Sequence, residues 1–268
     1  MHLLLLVTLM AAAATAETEC GQVKVNPMGA RAAGAAVAQT GNAVTGGSQA
    51  AEGAWPWTVS ICRMDWFGTC QFYAAGTIIS ENWVITSLTG IDPALKTRYR
   101  VRAGTTSNAN GGQFIQLENI MHPKSANTVE HKADIALIEL HTSLQFNDFV
   151  QSICLPSNDD DVVLSSTEPA ETYLHQTQMN IMTNGLGCPA YFDKTTQICG
   201  RGASEGNVCT FDVGGPLVQQ VADGRWFLYG IAAAMNEFGG SDCNQSSILN
   251  RVSAFCEYIQ ETSNVSCQ

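Results

Sequence analysis

From Val44 onward, apolar and polar positions change over in short runs rather than in long helical stripes. "WTVSI", "GTIIS", "NWVITSL", "YRVRAG", "ADIALIEL", "GGPLVQQ" and "WFLYGIAAA" are rich in β-branched or aromatic residues, and Gly, Asn, Pro and Ser separate them at short intervals. Such runs between turn formers predict strands, and a succession of them predicts an all-β barrel or sandwich. Only the end departs from this pattern. In "SAFCEYIQET", Phe255, Tyr258 and Ile259 fall at i, i+3 and i+4 behind a serine cap, which predicts a C-terminal α-helix. The 268-residue chain leaves room after Val44 for two packed β modules.

The start of the chain has another texture. "MHLLLLVTLMAAAATAETEC" holds an apolar run followed by small residues, and Ala14-Thr15-Ala16 fits the rule for signal-peptidase cleavage. Residues 1–16 are therefore expected to be a signal peptide, and the protein to be secreted and extracellular. Residues 17–43, with "ARAAGAAVAQTGNA" at their centre, have no strand or helix period. They read as an Ala/Gly-rich leader, ordered only where something ties it down.

Ten cysteines, an even number, suggest five disulfides in an extracellular chain. Their spacing lacks the paired C-x-x-C of a zinc site, so neither a metal nor a cofactor is expected. Asn244 and Asn264 open N-x-S/T sequons and are candidate glycosylation sites. A formal net charge of −11 repels nucleic acid and anionic membranes. No later run reaches the roughly 18 apolar residues of a membrane span. Neither class of partner is expected. Asp159, Asp160 and Asp161 lack a spaced ligand loop and read as a solvated turn rather than a calcium site.

Seven motifs, in order, resemble the trypsin/chymotrypsin-type serine proteases. They are "VTGGSQAAEGAWPWTVSI", "GTIISENWVITSLTG", "ADIALIEL", "QSICLP", "LHQTQMNIMTNGLGC" with "TTQICG", "CTFDVGGPL" and "GRWFLYGIAAA". The resemblance implies two antiparallel β-barrels with a C-terminal helix over residues 44–268. The family's mechanism needs a serine nucleophile, a histidine base and an aspartate that orients the histidine. At the positions the resemblance assigns to them stand Val213, Thr89 and Asp134. A valine cannot attack a carbonyl, and a threonine hydroxyl is too weak a base to take a proton near neutral pH. Phe211 stands where glycine lets a backbone N–H reach the oxyanion. Asn207 stands at the base of the specificity pocket, Met235 at its mouth, and Ser247 where glycine keeps it open. His122, His131, His141 and His175 are read as surface groups, His131 because its loop precedes the aspartate strand. Ala43 before Val44 offers no basic cleavage site, so the usual activation step has no basis. Asp212, the aspartate that a new amino terminus would meet, is expected to be buried without that partner.

The resemblance also implies the bridges Cys188–Cys199 and Cys209–Cys243, and pairs Cys154 with the leader through Cys20. The bridge beside the catalytic histidine is absent, since its two positions hold Ala74 and Gly90. By elimination Cys62 would pair with Cys70 across a hairpin and Cys256 with Cys267, although sequence alone does not fix connectivity. The passage 157–173 is short for the family and lacks its G-W-G. The expectation is that one edge of the second barrel is left unpaired there and receives a partner in preference to the cleft.

The expected function is that of a non-catalytic serine protease homologue: a secreted binding protein or regulator with an extracellular protein partner. The alternatives are a bulk or matrix component with no specific partner and, less favoured, an active hydrolase with relocated residues.

Overall fold

A computed structural model describes residues 20–25, 48–107, 110–129, 131–159, 166–170, 173–177, 179–182, 187–202, 212–235 and 246–268. Six strands close the first barrel: β2 (Thr58–Met64), β3 (Cys70–Ser80), β4 (Trp83–Thr86), β5 (Tyr99–Ala103), β6 (Gln113–Met121) and β7 (Ala136–Leu140). Around the barrel they run β2-β3-β4-β7-β6-β5, every neighbour antiparallel. In β5, Tyr99, Val101 and Ala103 point inward while Arg100 and Arg102 do not. Side chains alternate across a pleated strand, so such a sequence fits one wall of a closed barrel. β6 is absent from the runs singled out in the sequence. Its inward residues, Ile115 and Leu117, are interleaved with Gln116 and Glu118, and the polar residues hide the strand.

The second module is an open sheet of eight strands in the order β1-β9-β8-β12-β13-β14-β11-β10. These are β1 (Ser48–Gln49), β8 (Ser166–Ala170), β9 (Tyr173–Thr177), β10 (Met179–Ile181), β11 (Gln197–Gly202), β12 (Pro216–Gln220), β13 (Trp226–Met235) and β14 (Ser247–Arg251). The fold is thus two antiparallel β modules, one closed barrel and one half-barrel, with a short C-terminal helix. The sheet's outer strands are the two-residue β1 and the three-residue β10. The expectation of an unpaired edge at 157–173 is not met. β8 arises within that passage and has neighbours on both sides, β9 and β12. A shorter passage still supplies one strand, because a hairpin back to β9 needs only two intervening residues. Asp159 is no solvated turn either. Its carboxylate pairs with Arg251 at the end of β14, with 10% of the side chain exposed.

One apolar cluster joins the modules, and a second, with Met179, Ile198, Leu217 and Leu249, lies within the sheet. Ile61, Ile78, Val84, Leu137 and Ile138 of the barrel pack in one cluster with Val218, Leu228 and Ile231 of the sheet. Trp55 and Trp57 lie edge-on or tilted to Trp226, with ring centroids 4.9 Å and 6.2 Å from it. The helix α1 (Cys256–Ser263) follows a 3-10 turn over Val252–Phe255. Ser253 lies inside that turn and caps nothing; Phe255 is the N-cap residue, with no side-chain bond. Ile259 points into the core.

Four disulfides close among the described residues: Cys20–Cys154, Cys62–Cys70, Cys188–Cys199 and Cys256–Cys267. Cys209 and Cys243 lie outside those residues. The leader is strapped down at 20–25. Gly21 donates to the Ser152 carbonyl at 2.8 Å and accepts from the Trp226 N–H at 2.9 Å. A Cβ on Gly21 would stand 2.4 Å from the Trp226 carbonyl oxygen, so only glycine lets the strap approach this closely.

Gly214, just before β12, is the tightest point between the modules. It has φ +87°, and a Cβ there would lie 2.2 Å from both the Ala75 carbonyl oxygen and Thr86 Oγ1. Gly214→Ala combines a left-handed non-glycine residue with overpacking and should destabilise the fold by about 2–5 kcal/mol. Urea unfolding of the purified variant measures this.

Candidate functional site

Asp134 lies just ahead of β7 and is completely buried. A carboxylate taken out of water needs donors, and the chain supplies three. The turn after β4 brings the Thr89 N–H to Oδ1 at 2.7 Å and the Thr89 hydroxyl to Oδ2 at 2.8 Å. Ser87, two residues earlier and fully buried, donates its hydroxyl to Oδ2 at 2.8 Å. Ser87 was not singled out in the sequence. Its signal is only its place, one strand-like step from Thr89 on the same side. From the other module, Asn250 of β14 donates its side-chain amide to the Asp134 carbonyl.

His131 departs from expectation. It is buried, and its Nδ1 stands 3.7 Å from Asp134 Oδ2. The loop turns back on itself through two left-handed residues, His131 at φ 49° and Ala133 at φ 47°, and so carries the ring to the carboxylate. Gln197 of β11 donates to the His131 carbonyl at 2.7 Å and holds the loop in place. Side-chain rules could not reveal this, because neither residue is a glycine that would announce positive φ. His122 and His141 are exposed: His122 Nδ1 contacts its neighbour's carbonyl, and His141 bonds Glu118 at 2.7 Å, which holds the Glu118 carboxyl below its usual range. His175 lies on β9, in register with Glu168 and Gln49.

Val213 lies on the other side of this site. Its carbonyl accepts from the Ala75 N–H at 2.9 Å. A Cβ built on Gly90 would meet both Val213 Cγ1 and Ala74 Cβ at 3.0 Å. Ala74, Gly90 and Val213 therefore form one tight contact, and two cysteines at 74 and 90 would crowd the valine methyl. Asp212, beside Val213, is fully buried.

Next to the carboxylate cluster lies a cleft of about 480 Å³, lined by Leu88, Thr89, Ile91, Asp92, Pro93, His122, Thr128 and His131. Tyr99, buried against it, accepts from the Asp92 N–H, and burial pushes its phenol above its ordinary range. Of the residues assigned to the specificity pocket, Ser247 is fully buried on β14, opposite Met235 of β13 and Gly200 of β11. Asn207 and Phe211 lie outside the described residues, as does Asn244; Asn264 caps α1 in a left-handed conformation. Among the described residues no cluster of His, Cys, Asp or Glu could hold a metal ion.

A closed barrel and a half-barrel meeting at a buried aspartate form the architecture of the trypsin-like serine proteases. The chain belongs to the trypsin family, whose profile matches residues 44–259. It is 28% identical to serine proteinase stubble of Drosophila melanogaster, over 81% of this chain and 31% of that protein. It is 28% identical to ovochymase of Halocynthia roretzi, over 85% of this chain and 15% of that protein. It is 26% identical to chymotrypsin-like elastase family member 1 of Rattus norvegicus, over 82% of this chain and 90% of that protein. The chain thus spans less than a third of the first relative and about a seventh of the second, but nearly all of the elastase.

Thr89→Val keeps the backbone donor to Asp134 and removes the hydroxyl. Hydrogen bonds to a charged group contribute about 1.5–3 kcal/mol, so the variant should lose stability in that range while Thr89→Ser loses much less. Gly90→Ala should cost about 1–3 kcal/mol by overpacking, and combining it with Val213→Ala should recover part of that loss. Chemical denaturation of the four variants checks both expectations.

Proposed function

We propose that this chain is a secreted, non-catalytic member of the trypsin family that acts as an extracellular binding protein or regulator. The observation that carries this reading is how the three positions assigned to the triad are used. Thr89 spends both its N–H and its hydroxyl on Asp134, and Val213 presents a methyl against Gly90. The aspartate that would orient a base instead anchors a turn. With base and nucleophile both absent, the acceleration left to such a site comes only from binding and the oxyanion hole, and Phe211 disfavours the hole. Disulfides belong to oxidising compartments, so the four bridges support export alongside the expected signal peptide.

One observation favours a second reading, an active hydrolase with relocated groups: His131 reaches Asp134. The hydroxyls nearest the pair argue against it. Ser87 and Thr89 both donate to the carboxylate, so neither offers a free proton to an imidazole.

The purified protein should hydrolyse no peptide or ester substrate above background and should take no label from a fluorophosphonate probe. Val213→Ser should remain silent, because no base stands beside the new hydroxyl. Turnover by that single variant would overturn the reading.

A further inference from the structure

The most exposed aromatic residues among those described are Trp66 and Phe67, with 90% and 95% of their surface in water. They are adjacent, at the tip of the β2–β3 hairpin. Single exposed apolar residues need no explanation. Here, however, the tip is built to hold two of them out. Cys62–Cys70 clamps the base of the turn. Asp65 Oδ1 accepts from the N–H groups of Phe67 and Thr69 at 2.9 and 2.8 Å, and Gly68 takes the left-handed conformation the turn requires. Arg98, the last residue of the 3-10 turn before β5, gives Nε and Nη2 to the Met64 carbonyl and lays its guanidinium 5.1 Å from the Trp66 ring centre. Arg63 lies 4.4 Å over the Tyr73 ring. Arg63, Arg98 and Arg100 have no carboxylate within ion-pair distance among the described residues. In a chain of net charge −11, the base of this hairpin is a local basic patch.

We propose that Trp66 and Phe67 form the anchor of an interface with a protein whose surface offers an apolar pocket rimmed by carboxylates. Trp, Tyr, Phe, Met and Arg are the residue types enriched at interface centres, and Trp66, Phe67, Tyr73, Met64, Arg63 and Arg98 gather here. A backbone turn fixed in advance loses little freedom on docking, which favours a shaped pocket. A fluid bilayer makes no use of a preformed turn, and an anionic surface wider than this patch would also meet the acidic body, whereas a carboxylate rim need face only the local arginines. The three arginines set the rim chemistry, because none has a carboxylate within ion-pair distance among the described residues. This rests on the reading of the chain as a binding protein.

The test places a photo-crosslinking benzophenone amino acid at Phe67 of the full chain and irradiates it in extracellular fluid from the source tissue. The expected result is one protein adduct that excess unlabelled wild-type chain abolishes and excess W66S/F67S chain does not. Raising NaCl from about 0.05 to about 0.5 M should weaken labelling about tenfold, as screening of a charged rim requires. The double variant should melt with the wild type, since both side chains lie in water. Adducts only with lipid, only with a second copy of the chain, none at all, or adducts competed equally by the double variant would each overturn the proposal. Hydrolytic activity would overturn the non-catalytic reading and leave these arms unchanged, so the two failures are distinguishable.

Discussion

The buried carboxylate of Asp134 is the constraint around which the two modules are arranged. An isolated charge at that depth is not tolerable; its hydroxyl and N–H donors come from one turn, and the tie to the sheet goes through the backbone of the same residue. Ser87 and Thr89 belong to the turn that leaves β4; the strand that follows Asp134 closes the barrel against β4. Asn250, on the sheet, binds the same residue's backbone. The residue the family uses to orient a catalytic base thus fastens barrel to sheet whether or not a base is present. Removing the aspartate side chain would leave the buried Ser87 hydroxyl, and the Thr89 hydroxyl and N–H, without this acceptor.

Beside that anchor, the contact among Ala74, Gly90 and Val213 shows interdependence of another kind. Each is small or apolar where a reactive group or a sulfur would need room. Glycine at 90 is required because a methyl at 213 and another at 74 already fill the space. Packing of this density makes any side chain added at 90 costly, since it would meet Val213 and Ala74 together, whereas a serine at 213, smaller than valine, would fit.

Strands with consecutive apolar residues, such as β4 and β7, were legible because burial on both sides leaves an unbroken hydrophobic run. β6 was not, because its outward face carries Gln116 and Glu118 between its buried residues. β8 was hidden by the absence of the family's usual motif, although it pairs with strands on both sides. Within the site, Asp134, Thr89 and Val213 could be placed by resemblance, since each lies in a motif of fixed order. His131 could not, because two left-handed residues without glycine bring it inward. Ser87 was passed over because its role appears only when the aspartate stands in front of it.

The strap at Cys20 has a mechanical consequence. Cys20 is bonded to Cys154, while the backbone of Gln268 donates to the carbonyl of the next residue, Leu155, at 2.9 Å. Gln268 also places its side-chain amide 3.6 Å from the Cys20 sulfur. Two points 248 residues apart in sequence are therefore held on one short segment. The Cys20–Cys154 disulfide and the hydrogen bonds of Gln268 hold both points to that segment. Tethers leaving at Cys20 and at Gln268 would emerge side by side, and the body would hang from them as a pendant rather than stretch between them as a link.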